Sequence, residues 1–448
     1  QNGSEKMLKQ GSETVFWTKR VQENVSVDNS QMVFVGYGIV APEYGWNDYK
    51  GMDMKGKTAV MLINDPGFAT QDDALFKGNA MTYYGRWTYK YEEAARQGAD
   101  AVIIIHETAP AAYPWQVVET SWQGKQIDLK REDMGLARVK VESWITHSIA
   151  QGLFEQSGLD LEELKNEALN AEFKPVIMQG LSLKARLNNT IRFASSHNVA
   201  AFKKGSLRPN EYILMMAHWD HLGIKEEQSG DNIYNGAVDN ATGVAGILEL
   251  AETLNDYDNE RSLLYLAVTA EESGLLGSAY FAEYPPIDLS QVVAGYNFDA
   301  MHPRGKVKDV VVVGYGASEL EDILEGKLQK YNKYLVPDPE PEKGFFYRSD
   351  HISLSKKGVP MLYADAGIDQ VEGGIEAGEQ SSLNYVTNDY HQPSDEYTSD
   401  WDLSGIAEYL SITAEMVLDL ANSEDWPEWY EGNEFKSIRE ASRTSSTN

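Results

Sequence analysis

Glu211-Tyr212-Ile213-Leu214-Met215-Met216-Ala217-His218-Trp219-Asp220 is an apolar run that ends abruptly in an imidazole and a carboxylate. Glu211–Ala217 has the length of a short strand, and its unbroken apolar texture is that of a strand buried on both faces. Working outward, the pattern repeats. Ala241–Leu254 has helical spacing, with Val244, Ile247, Leu248, Leu250, Ala251 and Leu254 on its apolar positions. Ser262–Thr269 reads as another strand, and a helix begins near Gly277. Strands are predicted at Val292–Asn297, Val307–Val313 and Val359–Ala364, and a helix over Gly405–Asn422. Buried strands alternating with helices predict an α/β fold, with a mainly parallel central sheet and helices on both faces.

Polar residues gather just beyond these strands. His218-Trp219-Asp220 follows the first, Glu271-Glu272 follows Ser262–Ala270, and Asp299 follows Val292–Phe298. Asp239 lies in Gly236-Ala237-Val238-Asp239-Asn240, immediately before a helix. Open α/β sheets bind ligands outside the carboxyl ends of their strands, so separate strands deliver these groups to one crevice. The chain has no cysteine, so any metal must be held by histidine and carboxylate, which zinc accepts. A pair of zincs needs one carboxylate reaching both, plus a histidine and a further carboxylate on each. A separate carboxylate must take the proton from water. Adjacent Glu271-Glu272 offers one residue for each job. Taken singly, each position has a plainer reading: a hydrogen-bonded histidine, a solvated glutamate pair, a turn-capping Asp299. Together, at the ends of several strands, they favour a metal site. By residue type alone His221, His302, His351 and His391 are rival ligands among the eight histidines.

With 448 residues, the chain exceeds one ordinary compact core and predicts two domains. Hydrophobic content of 42% and aromatic content of 11% belong to a folded protein. No apolar run approaches the roughly 18 residues that span a bilayer. The net charge of −30 repels phosphate backbones and anionic lipid heads, which argues against nucleic-acid and membrane partners. Disulfides and thiolate catalysis are excluded with cysteine. The first thirty residues are polar and show little pattern. Val33–Val40 and Thr58–Asn64 read as strands, the second closed by Asp65-Pro66-Gly67. Tyr83–Gln97 reads as a helix feeding the strand Ala101–Ile105, and Asp160–Leu169 is amphipathic. Residues from about 30 to 185 therefore form a small α+β unit rich in strand. The polar tail Ser442–Asn448 predicts disorder, and there is no internal repeat.

Seven stretches between residues 198 and 393 together resemble one family, the co-catalytic di-zinc aminopeptidases of the bacterial leucyl aminopeptidase and aminopeptidase Y type. Glutamate carboxypeptidase and glutaminyl cyclase are its wider relatives. The stretches are Asn198-Val199-Ala200, Ala217–Gly223, Gly236–Ala245, Thr269–Ser278, Asn297-Phe298-Asp299, Arg348-Ser349-Asp350-His351 and Tyr390-His391-Gln392-Pro393. They occur in the family's order. The resemblance implies two Zn(2+) ions on a zinc exopeptidase fold: His218 and Asp299 on one, Glu272 and His391 on the other, and Asp239 bridging. It implies Glu271 as the general base on a bridging water, Asp220 as acceptor for the His218 ring, and Tyr390 as a phenol near the oxyanion. It also implies a cis peptide at Asp239–Asn240. Arg348 is expected to pair with Asp350, His351 to line or brace the pocket, and the polar loop Asp365–Asn388 to overhang it.

Residues 31–185 resemble a protease-associated insert domain, on Val33-Phe34-Val35-Gly36-Tyr37-Gly38, Asn64-Asp65-Pro66 and Ala94–Ala99. Such inserts typically cover part of an active-site mouth without supplying chemistry. The catalytic domain would then be discontinuous, built from residues 1–30 and 186–448. The implied activity is release of N-terminal residues from peptides with a free N-terminus, by a secreted or periplasmic enzyme whose signal peptide has been removed. Rival readings are a carboxypeptidase or dipeptidase on the same scaffold, a glutaminyl cyclase, and a non-catalytic receptor-like protein. A carboxypeptidase needs a cationic cluster where only Arg348 is nearby, a cyclase uses one zinc, and a receptor normally has a broken ligand set.

Overall fold

The computed structural model describes residues 5–226 and 228–446. The chain divides into two compact units: one runs to Ala194 and includes Glu340–Gly344, and the other holds Ser195–Pro339 and Phe345 onward.

The first unit is built on strands β1 (Thr14–Trp17), β2 (Asn24–Phe34), β3 (Thr58–Leu62), β4 (Ala101–His106), β5 (Val141–Thr146) and β6 (Val176–Asn188). They form a six-stranded sheet in the order β1-β5-β4-β3-β2-β6. The inner pairs β2–β3, β3–β4 and β4–β5 are parallel, and only the edge pairs β1–β5 and β2–β6 are antiparallel. Parallel neighbours need crossovers, and helix α1 (Trp87–Arg96) supplies the one between β3 and β4. Placing residues 1–30 with the second unit is therefore corrected. β1 hydrogen-bonds along β5, and Val15 and Trp17 are buried in the first unit's core. The unit also extends past residue 185, because β6 runs on to Asn188 as its edge strand.

The second unit carries β7 (Val199–Lys203), β8 (Arg208–His218), β9 (Arg261–Val268), β10 (Val292–Asn297), β11 (Asp309–Val312), β12 (Tyr334–Pro337) and β13 (Met361–Ala366). Its seven-stranded sheet has the order β12-β11-β13-β10-β8-β9-β7. β8 is parallel to both of its neighbours, β9 and β10, β10 is parallel to β13, and β11 is parallel to β12. β7 and the β11–β13 pair are antiparallel, so the sheet is mixed but mainly parallel. Alternation along β8 explains the layering. Ile213, Met215 and Ala217 enter one core with helices α2 (Thr242–Asn255) and α6 (Ser404–Ala421). Leu214 and Met216 enter the other with α3 (Leu276–Glu283) and α4 (His351–Ser355). The α/β fold with helices on both faces is the observed one.

Two segments depart from expectation. The stretch Asp365–Asn388 is not one loop: β13 runs to Ala366 and helix α5 spans Gly374–Asn388. The tail is helical from Lys436 to Ser446. Arg439 anchors that helix, donating to the Val292 carbonyl at 2.8 Å and lying over the Trp426 ring at 5.3 Å. Asn448 lies outside the described residues.

Candidate metal centre

The switch in strand order falls at β8: the chain leaves it for β9 on one side, then returns to β10 on the other. That is where an open α/β sheet has its crevice. β8 ends at His218, β9 leads into Glu271-Glu272, and β10 leads into Asp299. Asp239 sits in the irregular turn Ala237–Ala241 that opens α2, entered through Gly236 at φ 64°.

These side chains converge. His218 Nε2 lies 3.1 Å from Asp239 Oδ1 and 3.2 Å from Asp299 Oδ1. His391 Nε2 lies 3.3 Å from both Asp239 Oδ2 and Glu272 Oε2. The two oxygens of Asp239 thus face two different imidazoles. All five residues implied as ligands meet in one place, with Asp239 between the two sets.

Hydrogen-bond bookkeeping tests whether a cation suits the set. His218 Nδ1 is 3.1 Å from the Asp220 carbonyl, which can only accept, so that nitrogen carries a proton. A neutral ring then turns the Nε2 lone pair toward two carboxylate oxygens, leaving acceptors on all sides of one point. A proton on Nε2 or a bound cation satisfies these acceptors, and imidazole with carboxylate is a zinc donor set. Titration directions express the same electrostatics. Burial opposes protonation of His218, yet Asp239 and Asp299 outweigh it and hold its pKa well above the usual range. Burial pushes Asp239 up, and His218 and His391 overcome it, leaving this carboxyl below the usual range. Burial, followed by the charges of Asp299 and Asp350, pushes Glu271 well up.

A web of neighbours sets the geometry. Asn198 accepts from the Thr269 amide at 3.1 Å and donates to the Gly277 carbonyl at 2.8 Å, pinning both ends of the loop that carries Glu271-Glu272. Asn240 accepts from Gly243 and Ala300 amides at 3.0 and 3.1 Å and donates to the Phe298 carbonyl at 2.9 Å. It thereby ties the Asp239 turn to the Asp299 loop, and the Asp239–Asn240 peptide is cis. Two positioning residues were not anticipated. Ser349 donates to Asp299 Oδ2 at 2.5 Å, and Asp395, only 2% exposed, accepts the Val238 and Asp239 amides at 2.8 and 3.1 Å. Ser349 stands in the Arg348–His351 stretch, which flagged it; Asp395 had no signal beyond lying four residues after His391.

Two expectations are corrected. The Asp220 carboxylate does not orient the His218 ring: its Oδ1 stands 3.8 Å from Nδ1, and the backbone carbonyl takes that contact. The carboxylate instead accepts the Glu271 and Glu272 amides at 3.0 and 3.3 Å. Arg348 makes no ion pair with Asp350 among the described residues; it is exposed over the Phe345 ring at 5.0 Å while Asp350 is buried. Of the histidines that rival one another by residue type, His221 is brought in with its Nδ1 2.7 Å from Glu272 Oε1. The other rivals stay out. His302 packs on the Tyr385 ring, and His351 lies between Phe346 and Tyr363, where burial lowers each pKa to about 3. Tyr390 stacks on His391 at 4.0 Å and is 38% exposed, leaving room for a ligand beside it. In the first unit Glu107, His147 and Glu162 also cluster, but the Lys165 ammonium already sits 2.6 Å from Glu107 and 3.2 Å from Glu162.

Residues 198–417 match the model of peptidase family M28. A glutamate carboxypeptidase 2 homolog of Caenorhabditis elegans is 24% identical over 57% of this chain and 35% of its own. Aminopeptidase YwaD of Bacillus subtilis is 28% identical over 45% of this chain and 42% of its own. The chain thus spans less than half the length of these relatives. Among solved structures, an aminopeptidase from Aneurinibacillus sp. strain AM-1 aligns over 93% of this chain and 79% of its own, at 20% identity and a TM-score of 0.43.

Proposed function

We propose, since residues 198–417 match the model of peptidase family M28, that this chain is a di-zinc aminopeptidase hydrolysing the first peptide bond of peptides with a free N-terminus. The observation that carries this reading is the carboxylate of Asp239, set between two histidine–carboxylate sets. His218 and Asp299 would hold one zinc and Glu272 and His391 the other. When bound, such a pair polarises a carbonyl and makes water acidic enough to attack at neutral pH.

The chain's own groups do the rest. Glu271 takes the proton of the attacking water and delivers it to the departing amine. Its partly buried position beside Asp299 and Asp350 suits a carboxylate that must both accept and release a proton. Tyr390 would donate to the developing oxyanion from its place against His391. Acidic side chains around the centre would hold the substrate's α-ammonium. The first unit is read as a protease-associated domain with no chemistry of its own. Work outside the cytoplasm is proposed from the cysteine-free, acidic composition. No helix among the described residues is long and apolar enough to cross a membrane.

One observation favours a dipeptidase preference as a second reading. Arg348 is exposed, enters no ion pair among the described residues, and its charge acts on Tyr390 and His391. A guanidinium there could accept the carboxylate of a short substrate. Comparing leucine p-nitroanilide with its N-acetylated form, with and without chelator, tests the main reading. Cleavage of the free amine alone, lost on chelation and restored by zinc, is expected. Chelator-resistant cleavage would overturn it. Cleavage of leucylglycine but not of its amide would establish the dipeptidase instead.

A further inference from the structure

We propose that His221 is a sixth metal-binding residue, a ligand of the position shared by Glu272 and His391; this rests on the di-metal reading above. The chemistry of two atoms carries it. His221 Nδ1 and Glu272 Oε1 lie 2.7 Å apart, with side chains only 6% and 8% exposed. That is the separation of a strong charge-assisted hydrogen bond. Yet neither atom takes part in any hydrogen bond, and His221 Nε2 has none either. The two atoms are close without being aligned as donor and acceptor. Buried polar atoms left in this state are costly, and a pair of them facing each other marks a place where both address a third partner.

The surroundings say what that partner is. His221, Asp239 and Glu272 bring ligand atoms within 4.8 Å of one another. His391 approaches the same carboxylates from another side, 3.3 Å from Glu272 Oε2 and from Asp239 Oδ2. The two imidazole rings stand edge to face, 5.6 Å between centroids at 72°, as two ligands around one ion do. Every group in this ring is a lone-pair donor toward a cation.

The consequence is an unequal pair of positions. His221, His391, Glu272 and Asp239 give one position four protein ligands. His218, Asp299 and Asp239 give the other three. Four protein ligands make a closed zinc site, and three leave a place for water or substrate. The position with His221 is therefore the tighter, anchoring one, and the position at His218 keeps the more open place for water or substrate.

The test measures metal rather than turnover. The full chain and its His221→Asn and His221→Cys variants are loaded with zinc, then titrated with a competing chelator while bound zinc is counted. Wild-type protein should release two zincs in two separate steps. His221→Asn should keep the easily released zinc and bind the other about 100-fold or more weakly, beyond what losing a supporting residue usually costs. His221→Cys should retain both. Its cobalt form should show a sulfur-to-cobalt charge-transfer band absent from wild type, which a structural role for His221 could not produce. Circular dichroism of the zinc-free proteins checks that all three are folded. Wild-type-like zinc release from His221→Asn, or a missing band in His221→Cys, would overturn the assignment. Wild-type protein that binds no zinc would instead overturn the underlying metal reading.

Discussion

The Asp220 carboxylate accepts two successive amides, those of Glu271 and Glu272, at 3.0 and 3.3 Å. One side chain therefore fixes the backbone from which two different carboxylates project. Removing it leaves two donors unpaired, at about 1–3 kcal/mol for a buried group. Asp220→Ala should lose stability in that range by urea unfolding, and Asp220→Asn less, since its amide oxygen still accepts. Equal midpoints for wild type and Asp220→Ala would remove this role. The proposed base and a proposed ligand should separate cleanly by function. Glu271→Ala is expected to keep its full zinc content while kcat falls at least about 100-fold. His391→Ala should lower zinc content itself. Elemental analysis beside steady-state kinetics decides both, and an active Glu271→Ala enzyme with zinc in place would refute the base assignment.

At the scale of elements, the turn before α2 must meet the loop after β10 without slack. Gly243 is where they touch. A Cβ there would lie 2.3 Å from Asn240 Oδ1 and 2.5 Å from the Phe298 carbonyl oxygen. The second contact is backbone, so the helix itself would have to move. Overpacking of this kind costs about 1–3 kcal/mol, and the shift would pull Asn240 from the Ala300 amide. Gly243→Ala should therefore unfold at lower urea and bind zinc more weakly. Gly326, inside the helix Leu320–Leu328, makes the control: a Cβ there meets nothing within 4 Å. Gly326→Ala should stabilise by about 0.4–1 kcal/mol through reduced freedom of the unfolded chain. A wild-type midpoint and zinc affinity for Gly243→Ala would mean that the turn yields.

On the scale of the whole chain, each unit has its own sheet and its own buried clusters, and the candidate ligands all belong to the second. Metal that binds only the folded form stabilises it by about 2.7 kcal/mol when free metal is 100 times Kd. Excess chelator should therefore lower the melting temperature of the second unit and leave that of the first unchanged. Scanning calorimetry should resolve two transitions, one of them chelator-sensitive. A chelator without effect on either would place the metal's energetic contribution near zero and argue against the centre.

The β8–α2–β9 alternation, the strand-end positions of His218, Glu272 and Asp299, and the ordered motifs were legible because they are local: buried strands show as apolar runs, and motif residues lie side by side. Val292–Asn297 was bounded correctly for the same reason. Local pattern also misled. Gly373-Gly374 and the polar residues after them read as loop, yet α5 forms and buries Tyr385. The polar tail read as disorder, yet Arg439 and Arg443 stack on Trp426, a residue ten or more positions away. Above all, residue type could not say which histidines converge. Composition and periodicity determined that this chain has an α/β unit with imidazoles and carboxylates at its strand ends. Only the tertiary structure decided that His221 faces Glu272, that Asp220 serves the Glu271–Glu272 backbone, and that Asp395 holds the Asp239 turn. Those choices depend on distances of a few ångströms between loops remote in sequence, set by the packing of the sheet beneath them.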